Sequence, residues 1–320
     1  MNKYISRILK IFVFLLLIAI IDQVAGIILR KLYFTQKAGQ NNALTYAFRD
    51  CKADILIFGN SRAQHHYDSR LISDSLKMSC YNAGQDGGHS VLMQYAQIKV
   101  LTNRYSPEII ILEFDPVNIV NTAGSYDRLS VLLPYYSEYS ELRTIILLRG
   151  PYERVKLLSA IYPFNSNVIN IIRFNTNTHV ARKQDIDGYV PIKDKIMNIG
   201  MLERKPETDR EDEILSQSVA DTNMVEALKN IIVLCKEKNV SLFIVSSPIF
   251  HIPNEKPGSP SPAAKTALEI FRQNNVNFLD FSSDSTFTGH LEWFSDRGHL
   301  NDEGAKIFTD RLIEKLKNYK

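Results

Sequence analysis

Cysteine is scarce: Cys51, Cys80 and Cys235 are the three in 320 residues, and no Cys-x-x-Cys pair occurs. That excludes a disulfide framework. Cys80 and Cys235 sit in apolar stretches and read as core residues. The spacing of Cys51 and Cys80 does not by itself support the bridge that an oxidising compartment would permit. Charge of one sign is missing too. Thirty-eight Lys+Arg face 35 Asp+Glu, a formal net charge of +3 without a basic run, so no nucleic-acid partner is expected. The chain also lacks internal repeats and low-complexity tracts. With 45% hydrophobic and 10% aromatic residues, disorder as the main state is excluded. The length suffices for one large domain or two small ones with a buried core.

Two further absences narrow the chemistry. Gly84-Gln85-Asp86-Gly87-Gly88 is glycine-rich but lacks the Gly-Lys-[Ser/Thr] of a phosphate-binding P-loop, which argues against a nucleotide site. His65 and His66 are adjacent, so on a helix they point about 100° apart, and no ligand cluster accompanies them. They read as solvated or site-rim histidines. No metal and no cofactor is expected.

One long apolar run is present, Ile11–Leu29, interrupted only by Asp22 and Gln23. As a helix it is about 28 Å long, close to the ~30 Å hydrocarbon core of a bilayer. No Ala-x-Ala cleavage site or lipobox cysteine follows it. The expectation is an uncleaved signal anchor over residues 1–31 and a linker over 32–53; the rival is a cleaved signal peptide with Ile11–Ile21 as its apolar region. Basic residues flank the run on both sides, so the charge count leaves the orientation open.

From residue 54 to 320 the pattern is α/β. Asp54–Phe58, Met78–Tyr81, Glu108–Leu112, Ser241–Val245 and Val276–Leu279 read as buried strands. Helical spacing fills the intervals, including Val225–Lys238 and Ala263–Gln273. Asn301 caps a last helix with Ala305, Phe308, Leu312 and Leu316 on one face. The prediction is a three-layer α/β/α sandwich with a five-stranded, mostly parallel sheet. A block at about 120–220 breaks the rhythm. It reads as a helical insert rich in aromatics (Tyr135, Tyr136, Tyr139, Tyr152, Tyr162, Phe164) with a charged stretch at Glu203–Glu213.

In an open parallel sheet, ligands bind beyond the C-terminal ends of the strands. Gly59-Asn60-Ser61-Arg62, Asn82-Ala83-Gly84 and Glu113-Phe114-Asp115-Pro116 occupy three such ends. Ser61 falls at a strand-to-helix turn, where the helix N-terminus favours developing negative charge. Taken alone, it reads as an ordinary N-cap. Asp296-Arg297-Gly298-His299 changes the balance. A serine needs a base to remove its proton, and the imidazole needs a carboxylate to fix its tautomer. An aspartate three residues before a histidine on one loop supplies both.

This combination resembles the SGNH (GDSL-like) hydrolase superfamily, on Gly59-Asn60-Ser61, Gly84 and Asp296-x-x-His299-Leu300-Asn301, from about Asp54 to the end without the insert. The resemblance implies a flavodoxin-like sheet, Ser61 as nucleophile, His299 as base and Asp296 as its orienter. It further implies an oxyanion hole built from the Ser61 and Gly84 backbone N–H groups. The third block departs from the family's Gly-x-Asn-Asp, because an ionised Asp115 cannot donate a hydrogen bond. Asn118 or Asn82 is then the candidate third donor, and Arg62 and Asp115 are candidate substrate-binding residues. Gly59-x-Ser61-x-Ala63 also resembles an α/β-hydrolase nucleophile elbow, but there the elbow lies mid-chain and the acid and histidine lie well apart.

The apolar anchor, the insert and these motifs together are similar to one membrane-anchored branch, which accompanies membrane-bound O-acyltransferases in D-alanylation and polysaccharide acetylation. That similarity implies a single pass through the cytoplasmic membrane, an extracytoplasmic domain, and a serine-dependent transfer or hydrolysis of esters on a cell-envelope glycan. The alternative it leaves is a catalytically silent scaffold, a glycan-binding partner of such an acyltransferase.

Overall fold

The computed structural model describes residues 3–87, 90–176, 187–198, 200, 214, 217–253 and 259–319. The charged stretch Glu203–Glu213 and the histidines His89 and His179 lie outside the described residues. Contacts divide the chain into two units, one of Met1–Thr45 with Leu129–Arg182, the other of Tyr46–Arg128 with Lys183–Lys320.

The second unit is built on a five-stranded sheet among the described residues: β1 (Ile55–Phe58), β2 (Cys80–Asn82), β3 (Ile109–Glu113), β4 (Ser241–Ser246) and β5 (Asn277–Asp280). Every pairing is parallel, in the order β2-β1-β3-β4-β5. Parallel strands buried on both faces carry unbroken apolar runs, as Ile55-Leu56-Ile57-Phe58 does. Alternate residues point to opposite faces. On one, Ile55, Ile57, Ile109, Ile111 and Val245 pack with Ala63, Ile72, Phe308 and Leu312. These last belong to α3 (Ser61–His66), α4 (Ser69–Leu76) and the final helix, Asp302–Lys317. The helix Thr222–Glu237 packs on Val91–Arg104 and on β4.

The strand order reverses its direction of travel at β1, so the crevice between the C-terminal ends of β1 and β3 is the topological switch point. Register places Phe58 beside Leu112, and Glu113 beside Val245. The turn after β1 and the last residue of β3 therefore meet at that crevice.

Two local expectations are corrected. The loop before the last helix contains a short antiparallel pairing, Phe294–Asp296 with His299–Leu300. Part of the stretch read as a linker is a helix, Gln40–Arg49, in which Leu44, Ala47 and Phe48 are buried. Cys51, Cys80 and Cys235 are all free and buried.

The first unit holds the helix Lys3–Phe34, named α1, with a mean hydropathy of 2.7 over its most apolar window. It is long and apolar enough to cross a membrane. Among the described residues, the rest of the unit is mostly short helices and 3-10 turns, including Glu153–Lys156 and Val168–Thr176. Tyr135 and Phe164 are buried against Tyr33 of α1. Glu153 is buried with Arg149 and Lys156 on its two oxygens.

Candidate active site

Ser61 is aimed by the turn that joins β1 to α3. Gly59 takes φ +152°, and a Cβ there would lie 2.7 Å from the Cβ atoms of both Ala63 and Glu113. Only glycine passes this point without displacing β3 or α3. Asn60 then caps α3, its side-chain oxygen accepting from the Arg62 N–H at 3.1 Å, which leaves Ser61 as the first helical residue.

The partner residues come from the hairpin. Asp296 Oδ1 accepts from the backbone N–H groups of Gly298 (2.9 Å) and His299 (3.0 Å), and lies 2.9 Å from His299 Nδ1. His299 Nε2 lies 2.8 Å from Ser61 Oγ. A carboxylate only accepts, so Nδ1 carries the imidazole proton and Nε2 is free to accept from the serine hydroxyl. Burial pushes the Asp296 carboxyl up, but the bond from His299, its charge and the Gly298 N–H hold it net below the ordinary range. Lys195 Nζ stands 3.9 Å from Asp296 Oδ2 and adds to that effect. The structure thus brings Ser61, His299 and Asp296 together as one hydrogen-bonded series.

Three of the expected oxyanion donors make internal bonds in this structure. Gly84 donates its N–H to Asn82 Oδ1 at 2.9 Å, and the Asn82 amide nitrogen donates to the carbonyls of Ala63 (2.7 Å) and Tyr67 (3.0 Å). Asn82 spends both its amide hydrogens fastening β2 to α3, so it is a structural bracket in this state. The close fit of Gly84 persists, since a Cβ there would lie 2.6 Å from the Gln64 nitrogen. Asn118 is buried and turned to a cap: its Oδ1 accepts from the Asp115 N–H at 2.7 Å, while Asp115 Oδ1 accepts from Val117 at 2.9 Å. Ser61 keeps its N–H at the helix start.

Arg62 and Asp115 do meet, but as part of a buried network. Arg62 bonds Glu113 through Nε and Asp115 through Nη2, each at 2.9 Å. Burial opposes the Arg62 charge, and the two carboxylates hold its pKa above the ordinary value. Glu113 also accepts from Tyr67 Oη, from Ser247 Oγ (3.0 Å) and from the Ser247 N–H (3.2 Å). Burial nevertheless leaves its pKa raised.

His66 joins this network and corrects the reading of a solvated or rim residue. It is fully buried, its Nε2 accepts from the Leu300 N–H at 3.0 Å, and its Nδ1 lies 2.8 Å from Ser247 Oγ. With Nε2 accepting, the proton sits on Nδ1 and points to Ser247, whose own proton goes to Glu113. One directed series thus runs from the amide beside His299 to the end of β3. Burial, with Arg62 and the neighbouring histidines, drives the His66 pKa well down. His65 is half-buried, with Nδ1 2.6 Å from the Val190 carbonyl.

Ser247 and Lys195 carry no signal of their own in the sequence. Glu113 was marked, by its place at the end of a strand. A cavity of about 340 Å³ opens beyond β3, β4 and β5, with Arg62 and Asp115 on one wall and Phe114, Ile249 and Phe271 among its apolar lining. Elsewhere His290 stacks on Trp293 and bonds Glu292, and His251 bonds the Ser282 carbonyl. Among the described residues no group of three or more His, Cys, Asp or Glu side chains is arranged to hold a metal ion.

No family model matches the sequence, and no curated protein matches it. Among solved structures the chain is similar to the crystal structure of an acetyl xylan esterase, AlAXEase, at 11% identity and a TM-score of 0.39, over 82% of this chain and 98% of that one.

Proposed function

We propose that this chain is a serine-dependent acyl-handling enzyme of the SGNH type, which transfers an acyl group to, or hydrolyses an ester from, a cell-envelope glycan. The observation that carries the reading is the Ser61–His299–Asp296 series, with contacts of 2.8 and 2.9 Å. Ser61 Oγ attacks the ester carbonyl as its proton passes to His299 Nε2. Asp296 stabilises the imidazolium. The Ser61 N–H, at the start of α3, faces the developing oxyanion. Collapse breaks the ester bond, and the leaving alkoxide takes the proton from His299. Water or a glycan hydroxyl then gives its proton to His299 and attacks the acyl-Ser61 carbonyl; the acyl–Oγ bond breaks, His299 returns that proton to Ser61 Oγ, and free acid or acylated glycan is released. On this reading α1 anchors the protein in the cytoplasmic membrane with the sheet unit extracytoplasmic.

A second reading, a catalytically silent scaffold that binds glycan or a membrane-bound O-acyltransferase, is favoured by one observation. The Gly84 N–H and the Asn82 amide are bonded internally rather than offered to an oxyanion. Labelling by a fluorophosphonate separates the two. The enzyme reading expects the parent chain to label at Ser61, and Ser61→Ala and His299→Ala to lose labelling while keeping their circular dichroism. A folded parent chain that takes no label supports the scaffold.

A further inference from the structure

The α1 helix is bonded along its second half to the insert of its own unit, and those bonds fix depths. Asp22 accepts from Ser159 Oγ at 2.5 Å and from the Ala160 N–H at 2.7 Å. One turn further on, a Cβ on Gly26 would lie 2.3 Å from that of Ala160, so the insert backbone presses directly on the helix. Arg30 then bonds Ser137 and Glu138, and Asn175 donates to the Leu32 carbonyl at 2.8 Å. The insert therefore runs alongside α1 from Asp22 outward.

If the hydrocarbon begins at Ile11, just after Lys10, a ~30 Å core ends near Arg30, and Asp22 lies about 12 Å inside that limit. A carboxylate at such a depth is costly unless it is bonded, and residues 159–161 supply the bonds. They must then share its depth. The surrounding surface has the matching character. Tyr152, Val155, Leu158, Ile169 and Ile172 are between 58% and 81% exposed, as open as Ile11 (60%) and Ile27 (66%) of α1 itself. Between α1 and the insert lies a cavity of about 260 Å³ lined by Ile27, Leu133, Leu157 and Phe164, with Arg30, Ser137 and Ser159 at its polar side.

We propose that the segment 152–172 is seated in the outer half of the bilayer, its apolar side chains against lipid acyl chains. Tyr152, just before the short helix that carries Arg154 and Lys156, joins them in supplying the aromatic and basic residues that suit the headgroup level. The unit is then a monotopic foot around the anchor rather than an aqueous subdomain. This rests on α1 spanning the membrane and is independent of the chemistry at Ser61.

The test uses the full chain in vesicles of phosphatidylcholine and phosphatidylglycerol, with a nitroxide on one introduced cysteine at a time. Leu158→Cys and Ile169→Cys report the foot, Leu17→Cys the middle of α1, and Leu268→Cys an exposed position on the sheet unit. The parent chain, whose cysteines are buried, is the blank. Collision with oxygen is compared with collision with a water-soluble nickel chelate. The expected result is that positions 158 and 169 match position 17, with oxygen dominant, while position 268 is dominated by nickel. Nickel dominance at 158 and 169 with oxygen dominance at 17 overturns the proposal alone. Nickel dominance at 17 overturns the membrane span and the proposal with it. Shielding of 158 and 169 in native membranes but not in pure lipid assigns the surface to a protein partner, and equally overturns it.

Discussion

His65 and His66 differ by one position and by about 100° on α3, so when one faces the site rim the other must face the core. The sequence states the spacing but not the direction in which the helix presents it. That direction depends on α3 lying over Ile57 and Ile111, a tertiary fact. The buried ring has a consequence for stability. Native His66 stays neutral because burial drives its pKa down. In the unfolded chain it takes up a proton below about pH 6.5. The unfolded state therefore binds more protons in that range, and stability falls as pH drops below about 6.5, by up to ~1.4 kcal/mol per pH unit for this one group. Gln can accept from Leu300 and donate to Ser247 without titrating. His66→Gln should thus show a smaller drop in thermal midpoint between pH 7 and pH 5 than the parent chain. Equal drops in both would mean that another group carries the acid sensitivity.

The strands were legible because each is a continuous apolar run, and a parallel strand buried on both faces needs nothing more. Their observed bounds move by a residue or two, as with Ile109–Glu113 against the expected Glu108–Leu112. The hairpin that carries Asp296 and His299 was not legible, since three residues and two are too few to show a period. The acid–histidine spacing was visible without it, because an Asp three residues ahead of a His meets it across a tight turn. The bonds that Asn82 and Asn118 make were not legible either. Asn82 and Asn118 were judged by residue type, yet side-chain amides are spent on whatever backbone groups the fold leaves unpaired, and the sequence does not show which those are. At the scale of the turn, Gly59→Ala tests how firmly Ser61 is aimed. The added Cβ meets both Ala63 and Glu113 at 2.7 Å in a backbone conformation that alanine resists. Destabilisation of about 1–3 kcal/mol is expected by denaturant titration, from strain and overpacking together. Fluorophosphonate labelling should fall further than the folded fraction does. Unchanged stability with full labelling would show that the turn tolerates a side chain.

For the molecule as a whole, the open matter on the proposed reading is what receives the acyl group. Hydrolysis and transfer share acyl-Ser61 and differ only in whether water or a hydroxyl reaches its carbonyl. Water is abundant, so transfer wins only when an acceptor is held within about 3–3.5 Å of the acyl carbon, where proximity outweighs water's concentration. Of the insert's aromatics, Tyr135 and Phe164 are buried against Tyr33 and serve as core rather than as faces for a sugar ring. A chain carrying an apolar helix able to span a membrane is suited to an acceptor or acyl donor confined near the bilayer. The expected outcome is slow hydrolysis of small acetyl esters in solution, and faster acyl consumption once an envelope glycan is supplied, with acyl-glycan as the main product. Product partitioning measures this directly, as acyl-glycan against free acid, with and without acceptor. Rapid turnover to free acid alone, indifferent to every acceptor offered, would make the chain a plain esterase; Ser61→Ala would still abolish it, so the fate of the acyl group is separable from the identity of the nucleophile.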